Sequence, residues 1–127
     1  TIVAHPNDEQ KAYMKVLAER SEMIHSGAVD PSKDNMLKIT GEARLLGLDA
    51  RCVILNAENY PDSKVNLCID KIMEIYDRTS AQKGVQAIFC DIAVNSDDGK
   101  FSVYDYLKQE LARRGIPENE ICAGGAA

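Results

Sequence analysis

Val85-Gln86-Ala87-Ile88-Phe89-Cys90-Asp91-Ile92 is a nearly unbroken apolar run of strand length, interrupted only by Gln86 and Asp91. A strand reads this way when helices cover both faces of its sheet. On its N-terminal side, Val65, Cys68, Ile69, Ile72, Ile75 and Tyr76 form one apolar stripe at helical spacing. Asp62 or Ser63, just after Pro61, can cap that helix, which is predicted to end near Ser80. On its C-terminal side, Asn95-Ser96-Asp97-Asp98-Gly99-Lys100 is a polar loop. Ser102 and Asp105 then give a capping hydroxyl three residues ahead of a carboxylate, and Val103, Leu107 and Leu111 recur every four residues. Arg113-Arg114-Gly115 suits a helix end, Pro117 prevents continuation, and residues 120–123 begin another strand. Helix, strand, helix and strand start are the grammar of a parallel α/β unit. Such a sheet needs several neighbours, so further strands are expected beyond residue 127 or on another chain, and pairing of an open edge with a second copy would be an artefact of the boundary rather than biology.

The first sixty residues read as mainly helical. Thr1-Ile2-Val3-Ala4 suggests a short strand, and Pro6-Asn7-Asp8-Glu9 supplies turn and helix-start chemistry. A helix is expected from Glu9 to about Ser26, packing through Tyr13, Val16, Leu17 and Ile24, with Gly27 ending it in a left-handed conformation. In a second helix Ser32 or Asp34 caps a stripe of Met36, Ile39, Ala43 and Leu46. Cys52-Val53-Ile54-Leu55 can form a short strand before a loop through Pro61.

Composition limits the chemistry. The 127 residues carry a formal charge of −5 and are 45% hydrophobic, ordinary for a globular protein. The negative balance argues against a protein that coats nucleic acid over its whole surface. Residues 32–53 are the only net-positive stretch, with four basic against three acidic side chains. No apolar run is long enough to span a bilayer and the N-terminus lacks the charged, apolar, small-residue order of an export signal, so a soluble, cytoplasmic location is expected. The four cysteines, Cys52, Cys68, Cys90 and Cys122, form no CxxC pair and are expected to be reduced, structural thiols rather than metal ligands.

Catalytic motifs are sparse. Neither GxxxxGK[ST] nor GxGxxG occurs, so no phosphate-cradling loop is present. His5 and His25 lack a neighbouring nucleophile in sequence and read as surface histidines. Asp91 stands at the C-terminal end of the run, where α/β proteins place catalytic groups. Ile88-Phe89-Cys90-Asp91 resembles the opening of the haloacid-dehalogenase phosphotransferases, but the second acid of that motif is replaced by Ala93. A nucleophilic Cys90 lacks the glycine nest and arginine that would stabilise a thiolate, and a buried structural thiol is the simpler reading.

Three ordered segments carry a family resemblance: Glu9-Gln10-Lys11-Ala12-Tyr13; Asp34-Asn35-Met36-Leu37-Lys38-Ile39-Thr40; and Ser63-Lys64-Val65 leading to Ile88-Phe89-Cys90-Asp91. Together they resemble the Swi/Snf-type superfamily 2 helicases, most closely the large helicase and adenine-specific DNA methylase polypeptides of phages and mobile elements. The resemblance covers nearly the whole chain. It implies an α/β fold, a partial RecA-like parallel sheet flanked by helices with a helical N-terminal portion. Residues 1–60 would be a junction segment and residues 61–127 the first part of the second RecA-like lobe, at helicase motif IV. Cys90-Asp91 departs from the Ser-Gln type of pair usual there, and a carboxylate repels a nearby phosphate.

The resemblance further implies an ATP-dependent, DNA-translocating parent that uses ATP and magnesium. Its phosphate loop and acidic magnesium motif would precede Thr1, and its arginine finger would follow Ala127. No catalytic residue, cofactor site or metal site is therefore assigned within this chain. The expected partners are DNA and the remaining helicase lobes of the same polypeptide. Lys38 and Arg44 on the second helix, with Lys100 and Ser102 after the polar loop, are the candidate nucleic-acid contacts, Ser102 offering a hydroxyl at a helix N-terminus. A solvated face for the basic residues and a plain helix cap for Ser102 are the structural alternatives. Two other readings of the chain stand beside the motor: a non-catalytic interaction domain, and a phosphotransferase acting through Asp91.

Overall fold

The computed structural model describes residues 1–94 and 99–124; of the expected polar loop at 95–100, only Gly99 and Lys100 fall among them. The chain divides into two compact units, Thr1–Lys64 and Val65–Ala127. All regular structure among the described residues is helical. This overturns the expected α/β fold with a partial RecA-like parallel sheet: the fold is all-α. The reason is that a strand exists only through ladder bonds to a neighbour. Residues 85–91 take no regular structure, residue 92 lies in a bend, and no backbone hydrogen bond pairs residues 85–89 with another described residue. Residues 1–4 and 121–124 are likewise irregular, and the strand expected at 52–55 is replaced by a 3-10 turn over Ala50–Cys52 and the turn after it.

In the first unit, helix α1 spans Asp8–His25 and helix α2 spans Met36–Leu48. Asn7 caps α1 in a reciprocal box: its side chain accepts from the Gln10 amide, and the Gln10 side chain accepts from the Asn7 amide. Both bonds satisfy donors that a helix start otherwise leaves bare. Gly27, at φ 75°, takes the left-handed conformation expected of it after the helix end. The cap of α2 is Asn35, whose side chain accepts from the Lys38 amide, rather than Ser32 or Asp34. Leu17, Ile39, Leu46 and Ala50 form the core, with Tyr13, Ile24 and Ala43 packed against it. Burying a leucine such as Leu46, which is 2% exposed, contributes about 2 kcal/mol. Val16, expected on the packing face, is 43% exposed.

In the second unit, helix α3 spans Lys64–Thr79 and buries Val65, Ile69 and Ile72, while helix α4 spans Val103–Arg113 and buries Val103, Leu107 and Leu111. Both stripes are those read from the sequence. Two side-chain bonds join the helices. Tyr106 donates to Asn66 Oδ1 at 2.6 Å, and Arg114 Nη1 donates to Asp70 Oδ1 at 2.7 Å. The partners ascend both helices together, so α3 and α4 run in the same sense. A 3-10 turn over Ser80–Gln82 leads from α3 into the extended residues through Lys83, at φ 54°, and Gly84. A Cβ at Gly84 would collide with the Thr79 side chain, so glycine is required for this exit.

Candidate functional site

A large concavity lies within the second unit. It is an apolar groove of about 990 Å³, a volume typical of binding clefts. Ile72 and Tyr76 of α3, Leu107 and Leu111 of α4, and Val85 and Phe89 of the extended segment contribute to its walls. The helical wall follows from the stripes already described. The extended wall is an apolar segment without a ladder, and it leaves Val85 95% and Phe89 94% exposed. Polar groups sit at the margin: Tyr76 donates to Glu120 Oε2 at 2.7 Å, a bond that raises the Tyr76 phenol above its ordinary value. Gln86 Nε2 donates to the Ile72 carbonyl at 3.0 Å and fastens the segment to α3. A groove so lined is suited to apolar contact rather than to bond making and breaking.

Of the four candidate nucleic-acid contacts, Lys100 and Ser102 share the unit of this groove but do not line it, and Lys38 and Arg44 belong to the first unit. Lys38 is exposed on the first turn of α2, where its ammonium donates to the Lys33 carbonyl at 2.9 Å. Arg44 is also exposed, six residues further along α2, and so points about 120° away around the helix. Lys100 is exposed after the polar loop. Ser102 is 6% exposed, donates to the Val94 carbonyl at 2.8 Å and accepts from the Asp105 amide at 3.3 Å. Its hydroxyl is thus engaged as the cap of α4.

The groups that tempted a catalytic reading are also placed. Asp91 is exposed, and Ala93, where the phosphotransferase motif has its second acid, stands at φ 53° in a left-handed turn. The Cys90 thiol donates to the Ile92 carbonyl at 3.2 Å, and it is half-buried rather than fully enclosed. Burial, with Cys90 as a second contribution, pushes the Cys68 thiol up, away from thiolate character. His25 Nδ1 lies 2.8 Å from the Ser21 carbonyl and 3.4 Å from the Ser21 hydroxyl, one turn away on an exposed face of α1. With Nδ1 donating to the carbonyl, the ring cannot accept the hydroxyl proton there. Among the described residues no group of three or more histidine, cysteine or acidic side chains could hold a metal ion. No helix among them is long and apolar enough to cross a membrane.

Two polar clusters in the first unit escaped sequence reasoning. Arg20 on α1 donates twice to Asp34, at 2.8 Å each, and lies 2.7 Å from Glu42 on α2, which also accepts from Tyr13 at 2.6 Å. The guanidinium hydrogen bonds hold Asp34 and Glu42 below the usual carboxylate range. Asp49, 1% exposed, accepts from the Arg51 amide and from both Arg51 Nε and Nη2, and takes the Ser63 hydroxyl proton bond at 2.9 Å. A carboxylate buried so deeply needs this many donors. The partners are 14 to 29 residues apart for all but Arg51, and no local pattern marks them. Gln10 Nε2 adds a buried bond to the Leu46 carbonyl at 2.8 Å. Comparison with protein-family models, with curated proteins and with solved structures yields no match.

Proposed function

We propose that this chain is a non-catalytic piece of an ATP-dependent DNA helicase or translocase of the Swi/Snf type, within a polypeptide that also carries a DNA methylase region. The observation that carries this reading joins the sequence resemblance to the geometry of the first unit. Within the first unit, the first two segments that bear the resemblance, and Ser63 at the head of the third, are held by contacts of their own residues: Gln10 to the C-terminal turn of α2, Asp34 to Arg20, and Ser63 to Asp49. Residues that share a family pattern and also hold a unit together are expected to serve as a scaffold between motor lobes. ATP and magnesium would be held by the rest of the polypeptide, and DNA is the track. In this reading Lys38 and Arg44 touch phosphate. Changing both to alanine in the complete motor is expected to lower DNA-stimulated ATP hydrolysis several-fold and to reduce its salt sensitivity, with the DNA-independent rate unchanged. Equal stimulation in the variant and the parent would remove these two residues from the track.

A second reading, an interaction domain without motor activity, is favoured by the apolar groove and by the exposure of Val85 and Phe89. It differs from the first in requiring no DNA-dependent ATP hydrolysis from any longer form of the polypeptide. The phosphotransferase reading has less support, because Asp91 has Ala93 where its acid partner would stand.

A further inference from the structure

Cys68 on α3 and Cys90 are free, half-buried thiols of the second unit, and neither lines the groove. Three hydrogen bonds fix the course of the chain that carries Cys90. At its start, Gln86 Nε2 donates to the Ile72 carbonyl of α3 at 3.0 Å. At its end, the Tyr104 hydroxyl of α4 donates to the Cys90 carbonyl at 3.3 Å. Two residues further along α4, Tyr106 donates to Asn66 of α3, which sets Cys90 near the level of Asn66. The segment therefore runs down α3 from Ile72 toward Asn66, against the direction of the helix. Cys68 stands between those two residues, about 3 Å along the axis from Asn66 and about 6 Å from Ile72. Four residues of chain reach about 13 Å, enough to carry Cys90 from the Ile72 level to that of Cys68. The approach leaves an electrostatic trace: after burial, Cys90 is what pushes the Cys68 thiol up.

We propose that Cys68 and Cys90 form a reversible disulfide within one chain when the protein meets a peroxide, stapling the segment after Gly84 to α3. The Cys90 thiolate attacks one peroxide oxygen; the O–O bond breaks, a sulfenic acid forms on Cys90, and the departing hydroxide takes up a proton as water. The Cys68 sulfur, giving up its proton, then attacks the Cys90 sulfur; the S–S bond forms, the S–O bond breaks, and a second water leaves. Two thiols are oxidised by one electron each, and one peroxide is reduced by two. A bridge needs the two Cβ atoms about 3.8 Å apart. The segment can adjust to that, because residues 85–89 make no backbone hydrogen bond with another described residue. Val85 and Phe89 on this segment contribute to one wall of the groove. The bond would thus hold that wall under oxidation and release it under reduction. The pairing does not depend on the motor reading.

Treatment of the dilute 127-residue chain with hydrogen peroxide, followed by alkylation, trypsin and non-reducing mass spectrometry, tests this. The sequence suits the experiment, because cleavage after lysine and arginine leaves the four cysteines on four different peptides, 52–64, 65–71, 84–100 and 115–127. The expected product joins 65–71 to 84–100, is about 2 Da lighter than the sum of the two, and separates on adding dithiothreitol. The oxidised chain should also melt roughly 5 °C or more above the reduced one, and Cys90→Ser should show neither the cross-linked peptide nor the shift. Peroxide that leaves both thiols free, or carries either to sulfinic acid without a cross-link, overturns the proposal. So does a cross-link that joins either cysteine to Cys52, to Cys122 or to a second chain. A 65–71 to 84–100 cross-link that leaves the melting temperature unchanged overturns the staple.

Discussion

Asp49 shows how much of this molecule rests on single buried groups. Its carboxylate takes three bonds from Arg51 and one from Ser63, joining the turn after α2 to the residue just before α3. Removing it leaves the Arg51 guanidinium, 14% exposed, without that charge partner. Asp49→Ala is therefore expected to cost about 3 kcal/mol, and Asp49→Asn, which keeps an acceptor but loses the charge, a smaller amount. Urea denaturation followed by far-ultraviolet circular dichroism measures both; an alanine variant within about 0.5 kcal/mol of the parent would show that Asp49 is not a structural tie. Neither the Ser63 bond of this tie nor the Arg20, Asp34, Glu42 and Tyr13 cluster was legible in the sequence, because the partners lie 14 to 29 residues apart and meet only in the folded unit. Asp34 illustrates the point. It has the chemistry of a helix cap, yet its side chain is taken by Arg20, and Asn35 next to it caps α2 instead.

At the scale of elements, what was legible is what is local. The stripes Val65, Ile69, Ile72 and Val103, Leu107, Leu111 became the buried faces of α3 and α4, and Ser102 caps α4 as its spacing suggested. Helix bonds close within four residues, so sequence spacing alone can specify them. The run at 85–92 has the composition of a buried strand, but its ladder partners are not supplied by the described residues. Strand identity depends on distant neighbours, so the same side chains that read as a sheet interior stand open to solvent at Val85 and Phe89. The groove combines both outcomes: its helical wall follows from the sequence, and its extended wall does not. Of the candidate contacts, Lys38, Arg44 and Lys100 are exposed while Ser102 is spent on its cap, a difference set by the Val94 carbonyl, which no spacing announces.

For the whole molecule, the balance of −5 is joined to carboxylates whose protonation is suppressed by folding. Hydrogen bonds from Arg113, then Arg114, bring Glu110 from 4.5 to about 2, and Arg20 lowers Asp34 and Glu42 in the same direction. A group with a depressed folded pKa contributes stability that is complete above its unfolded value and disappears as the pH falls through the folded one. Unfolding midpoints are thus expected to be flat above about pH 5 and to drop between about 4.5 and 2, with Glu110→Gln showing a shallower drop than the parent. Identical acid profiles for the two would mean that the Glu110 contacts do not stabilise the folded chain.

ATP hydrolysis, measured with and without DNA for this chain beside a polypeptide extended on both sides, decides whether the chain is part of a motor. The chain alone is expected to hydrolyse nothing, and the longer polypeptide to hydrolyse ATP faster when DNA is present. Hydrolysis by the chain alone would contradict its assignment as a non-catalytic piece, and a longer polypeptide inert toward ATP would contradict the motor itself and leave the interaction domain as the function.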